Sequence, residues 1–222
     1  MKGGGRAVEV DPDGIACCFD GRTSRMLANY RRRGLGKTAA AVLDFIASRQ
    51  TTGMTSLELG SGVGALTIEL ARRGMSAATG IDLSPEMIRA ARALASESGL
   101  EAHVSFIVGD GATSHLRTAD VVILDAVLCC YPDVEALVNN STAAASRFYA
   151  ISIPDDRLTM TRLLRPLLPL QRLLLRGTTF RFFLHPVSAI SRRVTERGFT
   201  KVFEKRVGMA WSVLVYEASV KS

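Results

Sequence analysis

The stretch Leu57–Gly64, Leu-Glu-Leu-Gly-Ser-Gly-Val-Gly, places three alternating glycines between an apolar segment and an amphipathic one. The apolar segment predicts a buried strand, and the residues after the glycines predict a helix. Glycine lets the backbone turn sharply and lets a ligand lie against the main chain without a Cβ in the way. Free N–H groups at the start of the helix suit a carboxylate or a phosphate. The stretch therefore predicts a ligand-binding turn between a strand and a helix.

Three acidic residues occupy strand ends near this turn in the predicted fold. Glu58 lies two residues before the first glycine, where its carboxylate can meet a ligand amino group. Asp82 ends the second predicted strand, and a carboxylate there can accept hydrogen bonds from both hydroxyls of a ribose. Asp110 follows the third strand within Gly-Asp-Gly and can pair with an adenine amino group. Taken alone, this pattern of glycines and acids is ambiguous between two classes of ligand.

A dinucleotide site is an alternative, because Gly60-x-Gly62-x-x-Ala65 also satisfies the nicotinamide dinucleotide fingerprint. Glu58 would repel a pyrophosphate at that turn. An NAD-dependent oxidoreductase therefore remains a competing function and not the first choice.

Strand and helix patterns alternate on both sides of the turn. We predict an α/β fold of the Rossmann-like, doubly wound type, with a mostly parallel seven-stranded sheet and helices on both faces. The short Gly208-Met209 join predicts that the last two strands form an antiparallel hairpin. The predicted strands are residues 55–59, 77–82, 103–108, 119–124, 148–153, 199–207 and 210–218, and the helices between them are 64–73, 84–98, 132–145 and 187–197.

The chain divides into a small N-terminal part and one larger domain in our interpretation. Residues 1–14 are rich in glycine, aspartate and proline and predict a loose arm. Residues 23–48 predict two helices, separated by Gly34 and Gly36. We assign residues 1–50 to an arm and helical cap and residues 51–222 to the main domain. A helical insertion on the substrate side is expected at about residues 155–197.

Charge is distributed unevenly along the chain. The 28 lysines and arginines exceed the 21 aspartates and glutamates, which gives a net charge of +7. Residues 1–150 carry a net charge of −1, and residues 151–222 carry +8. The leucine- and arginine-rich stretch 157–175 has three interpretations: a lid over an anionic substrate, contact with an anionic membrane surface, or a packing helix with its arginines in water. Nucleic acid is not expected as a partner, because no basic module with stacking aromatics is present.

The four cysteines form two adjacent pairs, Cys17-Cys18 and Cys129-Cys130. Without any C-x-x-C spacing, a zinc site has little support and no metal is expected. We expect reduced thiols that line a pocket, although a thiolate cluster for a soft metal or metalloid is the alternative. The most apolar run, Val121–Cys130, is short and contains an aspartate, so no membrane span is predicted. Without a secretory signal, a cytoplasmic protein is expected.

The glycine turn and the acids together resemble the class I S-adenosylmethionine-dependent methyltransferases. The resemblance extends from about Thr38 to Tyr216 and implies S-adenosylmethionine as cofactor. It implies that Glu58 and Gly60 contact the methionine end of the cofactor, that Asp82 holds the ribose, and that Asp110 and the backbone of Gly111 hold the adenine. The motifs are Leu57–Gly64, Gly80–Asp82, Gly109–Gly111 and Asp120–Asp125. The cofactor residues so assigned are Glu58, Gly60, Ser61, Gly62, Asp82, Leu83, Asp110, Gly111 and Asp125.

A narrower part of the chain is similar to magnesium-protoporphyrin O-methyltransferases. The similarity lies in Leu124–Pro132, in Leu184–Pro186 and in Gly198-Phe199 before the hairpin. The first segment departs from that family, because it is one residue longer and carries Cys129 and Cys130 where a histidine is expected. This similarity implies a flat, hydrophobic and acidic acceptor.

Three residues are candidates for the chemistry itself. Asp125 ends the fourth strand at the crevice where open sheets bind ligands. Tyr131 can cap the substrate or simply pack, and His185, before a helix, can act as a base near neutral pH. Because methyl transfer from a sulfonium needs positioning more than proton removal, a base is optional.

The sequence as a whole predicts a methyltransferase that acts on a small, apolar acceptor, either neutral or acidic, at an oxygen, nitrogen or carbon atom. Two other functions stay open at this point: a protein that binds S-adenosylmethionine without turnover, and the NAD-dependent oxidoreductase.

Overall fold

The computed structural model describes residues 12–164 and 182–219, which form a seven-stranded sheet covered by helices. Strand order is β3-β2-β1-β4-β5-β7-β6. Strands β1 to β5 pair in parallel, and β7 pairs antiparallel with both β5 and β6, so six strands run one way and β7 runs back. The strands are β1 Thr55–Leu59, β2 Ala77–Asp82, β3 Val104–Val108, β4 Ala119–Asp125, β5 Ala145–Pro154, β6 Phe199–Val207 and β7 Trp211–Ala218.

Eight α-helices and one short 3₁₀ helix are present in the described residues. The predicted Rossmann-like fold, including its C-terminal hairpin, is confirmed. Most predicted bounds lie within two residues of the observed ones, although β5 begins three residues earlier than expected. The helices are α1 Pro12–Asp20, α2 Thr23–Arg33, α3 Lys37–Ala47, α4 Ala65–Arg72, α5 Pro85–Glu97, the 3₁₀ helix Leu128–Cys130, α6 Val134–Ala144, α7 Thr159–Leu164 and α8 Val187–Glu196.

Helices cover both faces of the sheet because successive strand residues point to opposite sides. In β4, Val122 and Leu124 belong to a core cluster with residues of α6 and α8. Their neighbours Val121 and Ile123 belong to a second cluster with residues of α3 and α4. All four of these side chains are fully buried, which explains why the strand is apolar without alternation.

The strand order places the candidate site. It reverses at β1, since the chain proceeds from β1 to β2 and β3 on one side and returns to β4 and β5 on the other. In open sheets of this kind, ligands bind outside the carboxyl ends of the strands at such a reversal. The carboxyl ends of β1 and β4 carry the glycine turn and Asp125.

Asp155 joins the parallel part of the sheet to the C-terminal hairpin. Its backbone N–H donates to the carbonyl of Ala210 (2.8 Å), and its buried carboxylate accepts hydrogen bonds from Ser212 Oγ (2.6 Å) and from two guanidinium nitrogens of Arg157 (2.8 and 2.7 Å). Burial alone would raise the pKa of this carboxyl. The bonds from Arg157 and Ser212 outweigh burial and hold its pKa at about 2.

The segment between β5 and β6 contains α7 and α8. Residues 165–181 lie outside the described part of the chain, so most of the basic stretch 157–175 and its three interpretations stay predictions. Within residues 12–164 and 182–219, no helix has both the length and the apolar character needed to cross a bilayer.

Candidate active site

A cavity of about 380 Å³ lies at the carboxyl ends of the central strands, under the N-terminal helices. The sheet supplies its inner wall, and α1 and α2 supply part of its outer wall through Ile15, Phe19 and Met26. All nine residues that the sequence analysis assigned to the cofactor lie along this one cavity: Glu58, Gly60, Ser61, Gly62, Asp82, Leu83, Asp110, Gly111 and Asp125.

The glycine turn has a backbone that other residues rarely adopt. Gly60 and Gly62 have φ values of +69° and +53°. A Cβ on Gly60 would lie 2.4 Å from Cγ2 of Val127, which is far inside van der Waals contact. The N–H groups of Gly60 and Ser61 donate to the carbonyl of Ile81 at 2.7 and 3.0 Å, so β2 fixes the turn. The turn therefore needs glycine both for its conformation and for the space beside Val127.

Glu58 is a buried acid at the inner wall of the cavity. Its side chain accepts a hydrogen bond from Thr67 Oγ1 (2.5 Å), a residue of α4. Burial, together with the nearby carboxylates of Asp125 and Asp82, outweighs the bond from Thr67 and raises the pKa of this carboxyl to about 8. A cation placed beside Glu58 would offset much of the free-energy cost of ionising a buried carboxyl and would therefore favour the carboxylate.

Asp82 is held at the end of β2 by backbone donors. One carboxylate oxygen accepts the N–H of Gly62 (2.8 Å), and the other accepts the N–H of Ser84 (2.9 Å). Burial nevertheless raises the pKa of Asp82. The hydroxyl of Ser84 donates to Asp20 at the end of α1 and accepts the N–H of Met87 at the start of α5. The acid is thus fixed in orientation, and α1 is tied to the same corner of the site.

Asp110 is contacted by Tyr131. The phenol of Tyr131 lies 2.9 and 2.8 Å from the two carboxylate oxygens of Asp110, and the N–H of Ala112 donates to one of them (2.9 Å). Burial first, and then Asp110, raise the pKa of Tyr131, so its hydroxyl keeps its proton as a donor. Tyr131 therefore lies at the acid to which we assigned the adenine, and sequence reasoning missed this contact.

Asp125 is the last residue of β4, the strand that pairs with β1 on the side away from β2. Its carboxylate accepts a hydrogen bond from Ser152 Oγ (2.5 Å) and another from the hydroxyl of Thr38. Burial raises its pKa in spite of these bonds. The next residue, Ala126, has a φ of +59°, and its N–H donates to the same Ser152 hydroxyl (2.8 Å). Ser152 therefore holds both the acid and the unusual backbone that follows it.

His185 does not line the cavity. Its Nε2 lies 3.1 Å from the carbonyl oxygen of Tyr131, and its ring stacks on that of Phe183. Burial lowers the pKa of His185, although backbone carbonyls of Tyr131 and Leu128 oppose this shift. In this position His185 supports the loop that carries Tyr131 and does not contact the cavity.

The N-terminal helices form part of the cavity wall. Sequence reasoning missed α1 and the cavity position of Tyr30, whose hydroxyl donates to Glu69 of α4 (2.7 Å). Arg31 makes an ion pair with Glu97 of α5 (2.5 Å), so it fastens α2 to the domain on the outside. Apolar spacing in residues 23–33 is the signal that could have identified the lining face.

Ser61 carries a polar group that the protein itself leaves unused. Its hydroxyl is buried and has no hydrogen-bond partner among the described residues. A buried polar atom without a partner is costly unless a ligand or water satisfies it. Together with the glycine turn and the acids, this hydroxyl fits a ligand rich in polar groups, as the predicted cofactor is. Within the described residues, no group of three acidic, histidine or cysteine side chains suits a metal ion.

A family model described as a methyltransferase domain matches residues 50–168, just over half of the chain. The chain belongs to this methyltransferase family. The predicted methyltransferase family and its enzyme class are thereby confirmed, and the two alternative functions are not favoured.

Curated relatives match shorter parts. Ribosomal protein L11 methyltransferase of Histophilus somni is 28% identical over 107 residues, which are 48% of this chain and 36% of that protein. Ajmaline N-methyltransferase of Rauvolfia serpentina is 41% identical over 54 residues, which are 24% of this chain and 19% of that protein. The chain spans about a third or less of the length of these relatives.

Solved structures with the same fold match almost the whole chain. Magnesium protoporphyrin IX methyltransferase from Synechocystis PCC 6803 with bound SAH has a TM-score of 0.72 and 23% identity, covering 91% of this chain and 99% of that one. A putative methyltransferase in complex with the Trm112 activator of Haloferax volcanii has a TM-score of 0.72 and 14% identity, covering 94% and 99%.

Proposed function

We propose that this protein transfers the methyl group of S-adenosylmethionine to a small, uncharged and largely apolar acceptor. The observation that carries the proposal is that nine residues from four strand ends, including four carboxylates, meet along one cavity. Charged groups are rarely buried together unless a ligand or a partner compensates them.

Each end of the cofactor has a matching group in this proposal. Glu58 receives the amino group of the methionine part, and the free N–H groups at the start of α4 receive its carboxylate. Asp82 accepts hydrogen bonds from the ribose hydroxyls with the lone pairs that its backbone donors leave free. Asp110 accepts from the adenine amino group, and the buried hydroxyl of Ser61 contributes one more polar contact.

The bound cofactor supplies an activated methyl group on a sulfonium. The protein has to hold an acceptor in line with that methyl group and keep water out. We assign this positioning to the apolar residues of α1 and α2 and to Asp125, whose buried carboxyl can also take up a proton. Tyr131 keeps a role as the residue that orients Asp110, and His185 enters the proposal only as a support for Tyr131.

The charge of the cavity favours an uncharged acceptor over an acidic one. Four acids line the cavity, whereas no lysine, arginine or histidine is among the described residues that line it; the positive charge of Arg22 lies near Cys130. The outer wall offers Ile15, Phe19 and Met26 to an apolar group. A phenol, an amine in its neutral form or an activated carbon would fit these surroundings.

Calorimetric titration with S-adenosylhomocysteine, the product form of the cofactor, tests the proposal. We expect micromolar binding by the wild type and about 100-fold weaker binding by Asp82→Ala, since two charge-assisted hydrogen bonds to the ribose are lost. The matched control is Asp44→Asn, because Asp44 is an exposed acid on α3 and should not matter. Thermal unfolding of each variant separates a lost contact from a lost fold.

Two outcomes would contradict the proposal. An Asp82→Ala variant that binds as tightly as the wild type would remove Asp82 from the ribose site. Tight binding without methyl transfer to any member of a panel of phenols, amines and activated carbon acids would point to a protein that binds the cofactor without turnover.

A further inference from the structure

The proposed function leaves one reactive feature of the cavity unused. Cys129 and Cys130 are neighbours in the 3₁₀ helix after β4, and their sulfur atoms lie 3.6 Å apart. Cys129 is buried, whereas Cys130 lines the cavity. Small molecules that enter the cavity therefore reach one thiol, and the second thiol lies directly behind it.

The two thiols differ in acidity in a way that suits a sequential reaction. The neighbouring thiol of Cys129 and the nearby positive charge of Arg22 lower the pKa of Cys130 against the effect of burial. The neighbouring thiol of Cys130 and burial raise the pKa of Cys129. The thiolate is the reactive form of cysteine, and oxidation-sensitive cysteines typically combine access, a low pKa and a neighbouring second cysteine.

We propose that Cys129 and Cys130 form a reversible oxidation site for a small hydroperoxide and that its oxidation weakens cofactor binding. The Cys130 thiolate attacks one peroxide oxygen, the O–O bond breaks, and the departing hydroxide takes up a proton to leave as water. Cys129 then attacks the resulting sulfenic acid, an S–S bond forms, and a second water leaves. Two thiols are oxidised and one molecule of hydrogen peroxide is reduced to two of water.

The geometry makes this disulfide easy to reduce. Consecutive Cα atoms are about 3.8 Å apart, whereas most disulfides join Cα atoms at least about 4.4 Å apart. A bond between adjacent cysteines is therefore strained, and strained disulfides have the higher reduction potentials of labile, regulatory bonds. We expect a dithiol reagent to restore the thiols quickly.

Closure of the bond would act on the cavity through the backbone. The sulfur atoms must approach from 3.6 Å to about 2.05 Å. The carbonyl of Cys129 accepts the N–H of Phe183 (2.7 Å), and the next residue, Tyr131, holds Asp110. This effect rests on the proposed function, because Asp110 belongs to the adenine site of that proposal.

Mass spectrometry after treatment with hydrogen peroxide tests the modification itself. We expect the peptide that contains residues 129 and 130 to lose two hydrogens and to regain them with dithiothreitol. Cys130→Ser and Cys129→Ser should both abolish this change, and the double variant Cys17→Ser/Cys18→Ser should leave it intact as the matched control. A mixed disulfide between the two cysteine pairs, or unchanged thiols, would overturn the proposal.

Titration of the oxidised and reduced proteins with S-adenosylhomocysteine tests the consequence. We expect oxidation to weaken binding about tenfold, as for the loss of a hydrogen bond, and dithiothreitol to restore it. Cys130→Ser should show no effect of peroxide on affinity. Equal affinity of both forms would overturn the regulatory part of the proposal. If the reduced protein does not bind at all, the proposed function fails, while the peptide experiment still decides whether the disulfide forms.

Discussion

At the scale of single residues, Glu58 should make the affinity for the cofactor depend on pH. Its carboxyl has a pKa of about 8 because it is buried, and it has to lose its proton to receive a cofactor ammonium. Protons and cofactor therefore compete, and affinity for S-adenosylhomocysteine should rise up to about tenfold per pH unit below pH 8 and level off above it. Titration calorimetry at pH 6, 7 and 8 measures this slope, and buffers of different ionisation enthalpy measure the released proton.

Glu58→Gln provides the control for that slope. The amide oxygen can still accept the bond from Thr67, but it does not titrate. The variant should bind weakly and with little dependence on pH. If Glu58→Gln kept the pH slope of the wild type, another group would have to be responsible.

Gly60 offers a second prediction about a single residue. Gly60→Ala adds a methyl group in a left-handed conformation and 2.4 Å from Val127, whereas Gly53→Ala meets a similar φ of +83° with no atom within 4 Å. Both changes should cost about 1–2 kcal/mol for the backbone, and only Gly60→Ala should cost about 1–3 kcal/mol more for the overlap. Chemical denaturation of the two variants measures the difference. Equal losses would mean that Val127 moves aside freely.

Single residues also show where prediction from sequence ends. Glu58, Asp82 and Asp110 could be placed at one edge of the sheet because each lies near the end of an apolar strand, and parallel strands bring their carboxyl ends together. The contact between Tyr131 and Asp110 joins positions 21 residues apart and depends on the conformation of two loops. Loop conformation leaves no periodic pattern, so this contact had to come from the structure.

At the scale of elements, helix α1 shows how tertiary contacts override local preference. Pro-Asp-Gly at residues 12–14 is typical of a turn, and we predicted a loose arm there. The structure has a helix from Pro12 to Asp20, in which Ile15 packs against the main core cluster and Asp20 accepts the hydroxyl of Ser84. Burial and an anchored end stabilise a short helix that its sequence alone would not. The predicted arm is therefore wrong for residues 12–14.

Helix α2 depends on a small polar network for its position over the cavity. Tyr30 donates to Glu69, and Arg72 contacts both groups (3.2 and 2.7 Å); burial and Glu69 raise the pKa of Tyr30 to about 12. Tyr30→Phe keeps the ring at the cavity and removes only the hydroxyl. We expect a loss of about 1 kcal/mol in stability and weaker cofactor binding.

The control for Tyr30→Phe is Arg31→Ala in the same helix. Arg31 makes an exposed ion pair with Glu97, and such pairs contribute little. The two variants should therefore differ both in unfolding midpoint and in the cofactor affinity that titration measures. A larger effect of Arg31→Ala would show that the outer ion pair holds the helix instead.

At the scale of the whole molecule, Asp155 connects the parallel sheet to the hairpin and makes stability depend on pH. Its pKa of about 2 lies below the unfolded value, so its contribution is complete above pH 4 and is lost as the pH falls towards 2. Asp155→Asn should cost about 2–3 kcal/mol at pH 7, because Arg157 loses one of its two charged partners and keeps only Glu204. The loss should shrink at pH 3. Urea unfolding at both pH values measures this, with Asp44→Asn as the exposed control.

The acids of the cavity and the excess of basic residues lie in different segments of the chain, as the sequence indicated. The four acids along the cavity all precede residue 126, whereas residues 151–222 carry the net charge of +8. In β6, Lys201, Lys205 and Arg206 are exposed on the strand at the edge of the sheet. The sequence could place the charges by segment, but only the folded topology assigns the acids to the cavity and these bases to the outer edge of the sheet.

The arrangement of one cavity between the sheet and helices α1 and α2 has a consequence for the order of events in time. In the proposed function the cofactor binds at the strand ends, and an acceptor held between it and helices α1 and α2 would lie across its way out. The inner ligand must then bind first and leave last. Its departure requires movement of helices α1 and α2. We therefore expect a compulsory order of association, in which cofactor precedes acceptor and the spent cofactor sets the pace of each cycle.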